Sequence, residues 1–164
     1  MIREISAGGV VVRPAREGWQ VAVIEPQREP ELESPSSVKG KRSQKRLLAL
    51  PMGLVDPGEK PEQTALREVL EETGLTATLI AKLGDIKYVY VRSWGDKQRV
   101  FKIVSFYLLR YESGNIGEIK PEMRIEIRDA LWIPLDGAAR QLKYSGEKDM
   151  THRAEEYLNA HPEA

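Results

Sequence analysis

The run from Gly53 to Leu75, GLVDPGEKPEQTALREVLEETGL, constrains this chain more than any other segment. Pro61 suits the first turn of a helix and Gly74 suits a left-handed C-terminal cap, so the run predicts a helix over 61–73. On that helix Glu68, Glu71 and Glu72 stand at i, i+3 and i+4, within an arc of roughly 100°. Such carboxylates repel by a few tenths of a kcal/mol per pair (about 0.2–0.5), and something must offset that. Oxygen-only ligands crowded on one rigid element suit a hard divalent cation, Mg²⁺ or Mn²⁺. Leu66, Val69, Leu70 and Thr73 occupy an offset arc, which is expected to pack against the core. The plainer reading of the same run is a salt-bridged, solvent-facing helix in which Arg67 pairs with Glu71 at i+4.

The remaining composition bounds the function classes. A chain of 164 residues supports one domain with its own core, taken here as 1–164. Lys+Arg and Asp+Glu number 25 each, so there is no basic surplus of the kind that nucleic-acid or membrane binding usually needs. The absence of cysteine removes disulfides, thiolate metal sites and cysteine nucleophiles. No run approaches the roughly 18 apolar residues of a spanning helix, and MIREISAGGVVVRP lacks a signal-peptide core. The expectation is a cytoplasmic protein without membrane or nucleic-acid partners. A homodimer is the default for a soluble oligomer.

Along the chain, Ile5–Arg13 and Trp19–Glu25 read as strands around a turn at Gly18. Residues 26–46 carry three prolines, a Ser-rich cluster and the basic run KGKRSQKR, and read as a flexible loop or insertion. Leu47–Leu50 reads as a short strand. Leu75–Ile86 and Arg99–Tyr111 read as long strands, with SWGDK as a turn between them. Ser113–Glu126 is polar, Ala130–Ile133 a short buried strand, and Leu135–Leu142 and Gly146–Asn159 helical. Strands mixed with two or three helices indicate an α/β or α+β domain in which a sheet lies between helices.

The run also resembles, at every defined position, the Nudix box GX5EX7REUXEEXGU, with U a bulky aliphatic residue. Gly53, Glu59, Arg67, Glu68, Val69, Glu71, Glu72, Gly74 and Leu75 fill it. A chance match has a probability on the order of 10⁻⁷, which sets the solvated-helix reading aside. SAGGVVVR, LPMG and EIRDALWIPLDGA are also similar to Nudix hydrolases. The resemblance implies an α/β/α sandwich with a mixed sheet, and metal-dependent hydrolysis of a phosphoanhydride in a nucleoside diphosphate linked to another group. It implies metal ligation by Glu68, Glu71, Glu72 and the Gly53 carbonyl, with Arg67 orienting the carboxylates. Glu59 would support the turn into the helix. Glu126 falls where relatives place a further acidic ligand or the general base. The alternative of another class is a nucleotide-sensing module of the same fold that does not cleave.

The substrate is less legible. Subgroup motifs outside the box bear on it: Val91 stands where one ADP-ribose subgroup carries proline, and Met52 replaces the lysine of LPKG. Tyr88 and Tyr90 lie near the tyrosine of diadenosine polyphosphate hydrolases. The reading leans to a dinucleoside polyphosphate or nucleoside triphosphate, with an ADP-ribose or nucleotide-sugar pyrophosphatase as the alternative. Tyr88 and Tyr90 are candidates to stack on a base, and Arg99 and Lys102 to meet phosphates. For all four the ordinary reading is strand packing or a solvated strand face. Lys39, Lys41, Arg42, Lys45 and Arg46 are candidates to replace the missing lysine, and a third idea makes the 39–46 run an RNA-binding element.

Overall fold

The computed structural model describes residues 2–27, 46–93 and 95–164. Six strands form one mixed sheet: β1 (Ile2–Ala15), β2 (Gly18–Pro26), β3 (Met52–Leu54), β4 (Thr76–Val91), β5 (Arg99–Ser113) and β6 (Ile127–Pro134). Their order is β4-β5-β1-β2-β6, with β3 paired to β1. The pairing of β1 with β5 is parallel, from Ile2↔Val100 to Val12↔Arg110, and the other pairings are antiparallel. Two helices, α1 (Pro61–Thr73) and α2 (Ser145–Ala160), cover opposite faces. The expected α/β/α sandwich with a mixed sheet is what the chain adopts.

Side-chain alternation along β1 divides the core. Val10 and Val12 join Phe106, Leu108, Met150, Ala154 and Leu158 beneath α2. Ala7 and Val11 join Ala65, Val69, Leu75 and Leu109 beneath α1. The α1 side packs tightly because Gly9 has no side chain. A Cβ there would lie 2.6 Å from Leu109 Cδ1 and 2.8 Å from Val69 Cγ2.

The hairpin β1–β2 is paired only from Val12↔Val21 to Ala15↔Gly18. Beyond it β2 turns to β6, pairing Gln20–Pro26 with Ile127–Pro134. The segment Leu48–Leu54 enters the space this opens. Ala49 exchanges backbone hydrogen bonds with Ile24 at 2.8 and 2.9 Å, Gly9 donates to the Pro51 carbonyl at 3.1 Å, and Met52–Leu54 pair with Ser6–Gly8.

Most element assignments hold to within a few residues, and three differ. The strand expected at Leu47–Leu50 forms only isolated bridges at Leu48 and Ala49, and the paired segment lies after Pro51. Leu135–Leu142 is not a helix but a single 3₁₀ turn, Ala138–Arg140, which follows Gly137 at φ 83°. On α1, Leu70 is 48% exposed, whereas Glu68 and Glu72 are buried at 8% and 6%. The loop reading of 26–46 and the basic run fall largely on residues 28–45, outside the described residues; Pro26 closes β2. Among the described residues no helix is long and apolar enough to cross a membrane.

The Gly9 contact yields a direct expectation. Gly9→Val forces α1 and β5 apart and is expected to lower unfolding free energy by about 1–3 kcal/mol. Urea denaturation with an unchanged m-value measures this; an unshifted midpoint would show that the α1–sheet contact has slack.

Candidate active site

Along Leu50–Leu54 the backbone alternates. Odd-numbered residues bond β1, as in Gly9 N–H to the Pro51 carbonyl and Val55 N–H to the Ile5 carbonyl. Even-numbered residues turn their polar groups away from β1, and side chains from both helices meet them. Leu50 N–H donates to Glu147 Oε1 at 2.7 Å, Met52 N–H to Glu72 Oε1 at 3.0 Å, and the Leu54 carbonyl accepts from Arg67 Nη2 at 3.1 Å. Three of the outward-facing backbone groups are thereby satisfied without another strand.

Arg67 joins the loop before α1 to the acidic stripe. Its Nε and Nη2 donate to Glu59 Oε2 and Oε1 at 2.8 and 2.9 Å, a bidentate pair. Its Nη1 donates to Glu68 Oε1 at 2.8 Å and Glu71 Oε1 at 3.1 Å. Glu59 also accepts from Thr64 Oγ1 at 2.6 Å and Asp56 N–H at 3.1 Å. These bonds, the Arg67 pair foremost, hold the Glu59 carboxyl down to about 2. The ion pair of the plainer sequence reading therefore exists, as one bond of a larger network.

Glu68 and Glu72 lie under the opposite influence. Burial, and then the Glu71 charge, raises Glu68 against the pull of Arg67. Burial, and then the Glu68 charge, pushes Glu72 up to about 8. Glu126 follows the 3₁₀ turn Pro121–Ile125, and its charge adds to the upward push on both. Gly53 fits against Glu68, where a Cβ would fall on the carboxylate carbon. Carboxylates that repel one another are donors of the kind a hard cation takes. As arranged, no three His, Asp or Glu side chains among the described residues are gathered tightly enough to hold one. Arg67 draws Glu68 and Glu71 to itself.

Four further candidates lie on β4 and β5. Tyr88↔Lys102↔Glu4 form one row across β4, β5 and β1. Tyr90 Oη donates to Glu4 Oε1 at 2.9 Å, Lys102 Nζ lies 3.9 Å from it, and the two tyrosine rings are 6.2 Å apart. Arg99 is not part of this group. Three residues before Lys102 on an extended strand, it projects to the opposite face. Arg46 is already engaged, with Glu25 and Asp129 both at 2.9 Å.

Glu147, near the start of α2, escaped the sequence reading. Burial pushes its carboxyl up to about 7, against the Leu50 N–H bond. Its only sequence signal is an acidic residue in the first turn of an amphipathic helix, which ordinarily marks a favourable helix-dipole position.

A NUDIX domain family model matches residues 7–154. A mutator-type protein of Mycobacterium tuberculosis is 35% identical over 113 residues, 69% of this chain and 43% of its own. An 8-oxo-(d)GTP phosphatase of Mycolicibacterium smegmatis is 32% identical over 105 residues, 64% of this chain and 29% of its own. The chain thus matches less than half the length of these curated relatives. Among solved structures, a C. elegans Ap4A hydrolase aligns with TM-score 0.66 and 18% identity, covering 96% of this chain and 98% of that one. The NUDIX domain of Shewanella oneidensis NrtR, complexed with ADP ribose, aligns with TM-score 0.63 and 19% identity over 96% and 90%. At such identities the likeness is one of fold.

The raised Glu72 carboxyl sets a pH dependence. Its folded value of about 8 exceeds the ordinary 4.5, so between these values the folded protein binds more protons than the unfolded chain. Stability therefore falls as pH rises through that window. Without divalent cation, Glu72→Gln is expected to flatten much of this decline and to stabilise the protein at pH 8 by on the order of 1–2 kcal/mol. Thermal melts from pH 5 to 8.5 in EDTA measure it, Glu147 supplying the slope that persists. Equal slopes in both proteins would disprove the assignment.

Proposed function

The chain belongs to the NUDIX family, and on that premise we propose that it is a divalent-metal-dependent hydrolase of nucleoside triphosphates or related nucleoside polyphosphates, cleaving a phosphoanhydride. The observation that supports this most is the set of carboxylates held in mutual repulsion at Glu68, Glu71 and Glu72 beside Gly53. Nudix hydrolases generally need divalent metal ions; Mg²⁺ or Mn²⁺ is the proposal here, on the oxygen-only donor set. The triphosphate class is favoured over ADP-ribose by the 8-oxo-(d)GTP phosphatase, which matches over 64% of this chain.

Glu68, Glu71, Glu72 and the Gly53 carbonyl would hold the cation. When bound, it would neutralise phosphate charge and lower the pKa of a coordinated water. The chain's own groups do the positioning. Arg67 ties the loop carbonyl of Leu54 and the Glu59 carboxylate to the acidic stripe, so loop and helix keep one geometry. Glu72 is fixed by Met52 N–H, which leaves its second oxygen for the ion. Glu126, near Glu68 and Glu72 in charge and on a separate element, is suited to take the proton of the attacking water. Tyr88, Tyr90 and Lys102 lie together on the α2 side of the sheet as candidate contacts for the rest of the nucleotide.

The test is product release from a panel of nucleoside triphosphates, diadenosine polyphosphates and ADP-ribose, with Mg²⁺, Mn²⁺ or EDTA. Metal-dependent release of pyrophosphate or nucleoside monophosphate is expected, with triphosphates leading in kcat/KM. Glu72→Gln is expected to lower kcat by about 10²–10⁴ without loss of folding. Wild-type turnover in that variant at saturating metal would refute the assignment. Tight nucleotide binding with no product would favour the sensing module.

A further inference from the structure

Glu147 has no part in the proposed chemistry, yet it is buried at 6% exposure and accepts the Leu50 N–H at 2.7 Å. The helix that carries it is firmly seated. Met150, Ala154 and Leu158 of α2 lie in the core with Val10, Val12, Phe106 and Leu108, and a Cβ on Gly146 would fall 2.7 Å from Ile86 Cδ1. The carboxyl is therefore presented from a fixed support. Burying an acid costs free energy, and an apolar residue of similar volume would fill the same space more favourably. What the acid supplies is an acceptor for Leu50.

Leu50 stands three residues before Gly53, the residue whose carbonyl would meet the cation. The chain between them has little play. Pro51 has a fixed φ, and its carbonyl accepts from Gly9 N–H at 3.1 Å. Gly8 presses from behind: a Cβ there would lie 2.5 Å from the Pro51 oxygen and 2.7 Å from Met52 Cβ. On the outward side the segment is held by Glu147, Glu72 and Arg67. Of these three, Glu72 would itself ligate the cation and Arg67 binds Glu68 and Glu71, so both belong to the ion's own surroundings. Glu147 stands outside them, and its bond is the same whether or not an ion is bound. We propose that Glu147 is a positioning residue for the metal site, which by holding Leu50 sets the place of the Met52 N–H and the Gly53 carbonyl before a cation arrives. This inference rests on the hydrolase reading. Contacts behind the ligands of a metal commonly carry about 10–100-fold in its affinity. By linkage, the cation strengthens the Leu50 bond by the same factor by which that bond strengthens cation binding.

The probe is Mn²⁺ alone, titrated into nucleotide-free protein and followed by the EPR signal of the free ion. Glu147→Met fills the space without an acceptor, whereas Glu147→Gln keeps an acceptor oxygen for Leu50 N–H. Melting temperatures confirm that both variants fold. We expect Kd for Mn²⁺ to rise about tenfold or more in Glu147→Met and to stay within about threefold of wild type in Glu147→Gln. A merely structural glutamate would change the melting temperature and leave Kd unmoved. Wild-type affinity in folded Glu147→Met, or an equal loss in both variants, overturns the positioning role and leaves the hydrolase reading intact. A wild-type protein that takes no Mn²⁺ overturns both. Should Glu147→Met fail to fold, amide hydrogen exchange in the wild type decides. Mg²⁺ is expected to slow exchange at both Leu50 and Met52, and an unchanged Leu50 amide overturns the role of Glu147.

Discussion

The arrangement of the molecule follows from a backbone edge that no strand covers. β2 leaves β1 after four paired residues, and Leu50–Leu54 fills only one side of the resulting space. The outward polar groups at Leu50, Met52 and Leu54 would each forfeit on the order of 1–3 kcal/mol if buried without partners. They are met by Glu147 from α2 and by Glu72 and Arg67 from α1. One edge thereby anchors side chains of both helices, which lie on opposite faces of the sheet. An uncovered strand edge is usually a liability; here it is the scaffold of the site.

Arg67 gives the acidic stripe its stability in the absence of a cation. Five hydrogen bonds spread its charge over Glu59, Glu68, Glu71 and the Leu54 carbonyl. The bidentate bond to Glu59 is the rigid part, because Glu59 is in turn held by Thr64 and Asp56. The bonds to Glu68 and Glu71 are single and shared by one nitrogen, so they can be given up without releasing the arginine. A guanidinium suits this double duty, since its fork anchors at one end while the other exchanges partners.

How much of this was legible in the sequence depends on whether a feature was local. Helix α1 was bounded correctly because Pro61 and Gly74 state its ends chemically. Of the arc expected to pack, Val69 and Thr73 are buried and Leu66 lies against the core, and only Leu70 departs from it. Leu70 faces solvent while Glu68 and Glu72 go in, since the uncovered edge and the approach of Gly53 demand polar partners there. The apolar spacing over Leu135–Leu142 suggested a helix, but Gly137 turns the chain after Ala138–Arg140 has formed only one turn. Arg99 and Lys102 appeared equivalent as cations on one strand, and alternation separates them. Glu147 could not be singled out, because its burial depends on Leu50, 97 residues away in sequence.

The parallel pairing of β1 with β5 bears on how the chain reaches this state. Ile2–Val12 is synthesised before its parallel partner Val100–Arg110, which follows about a hundred residues later. At ribosomal speeds of about 5–20 residues per second, the central strand waits roughly five to twenty seconds for its neighbour. During that interval its valines have the short β2 hairpin, β3 and α1 to shield them, but not β5. The same strand carries the close-packed Gly8 and Gly9, which are poor β-formers. The smallness of Gly9 that admits α1 in the finished protein thus also leaves the waiting strand a weaker β-former.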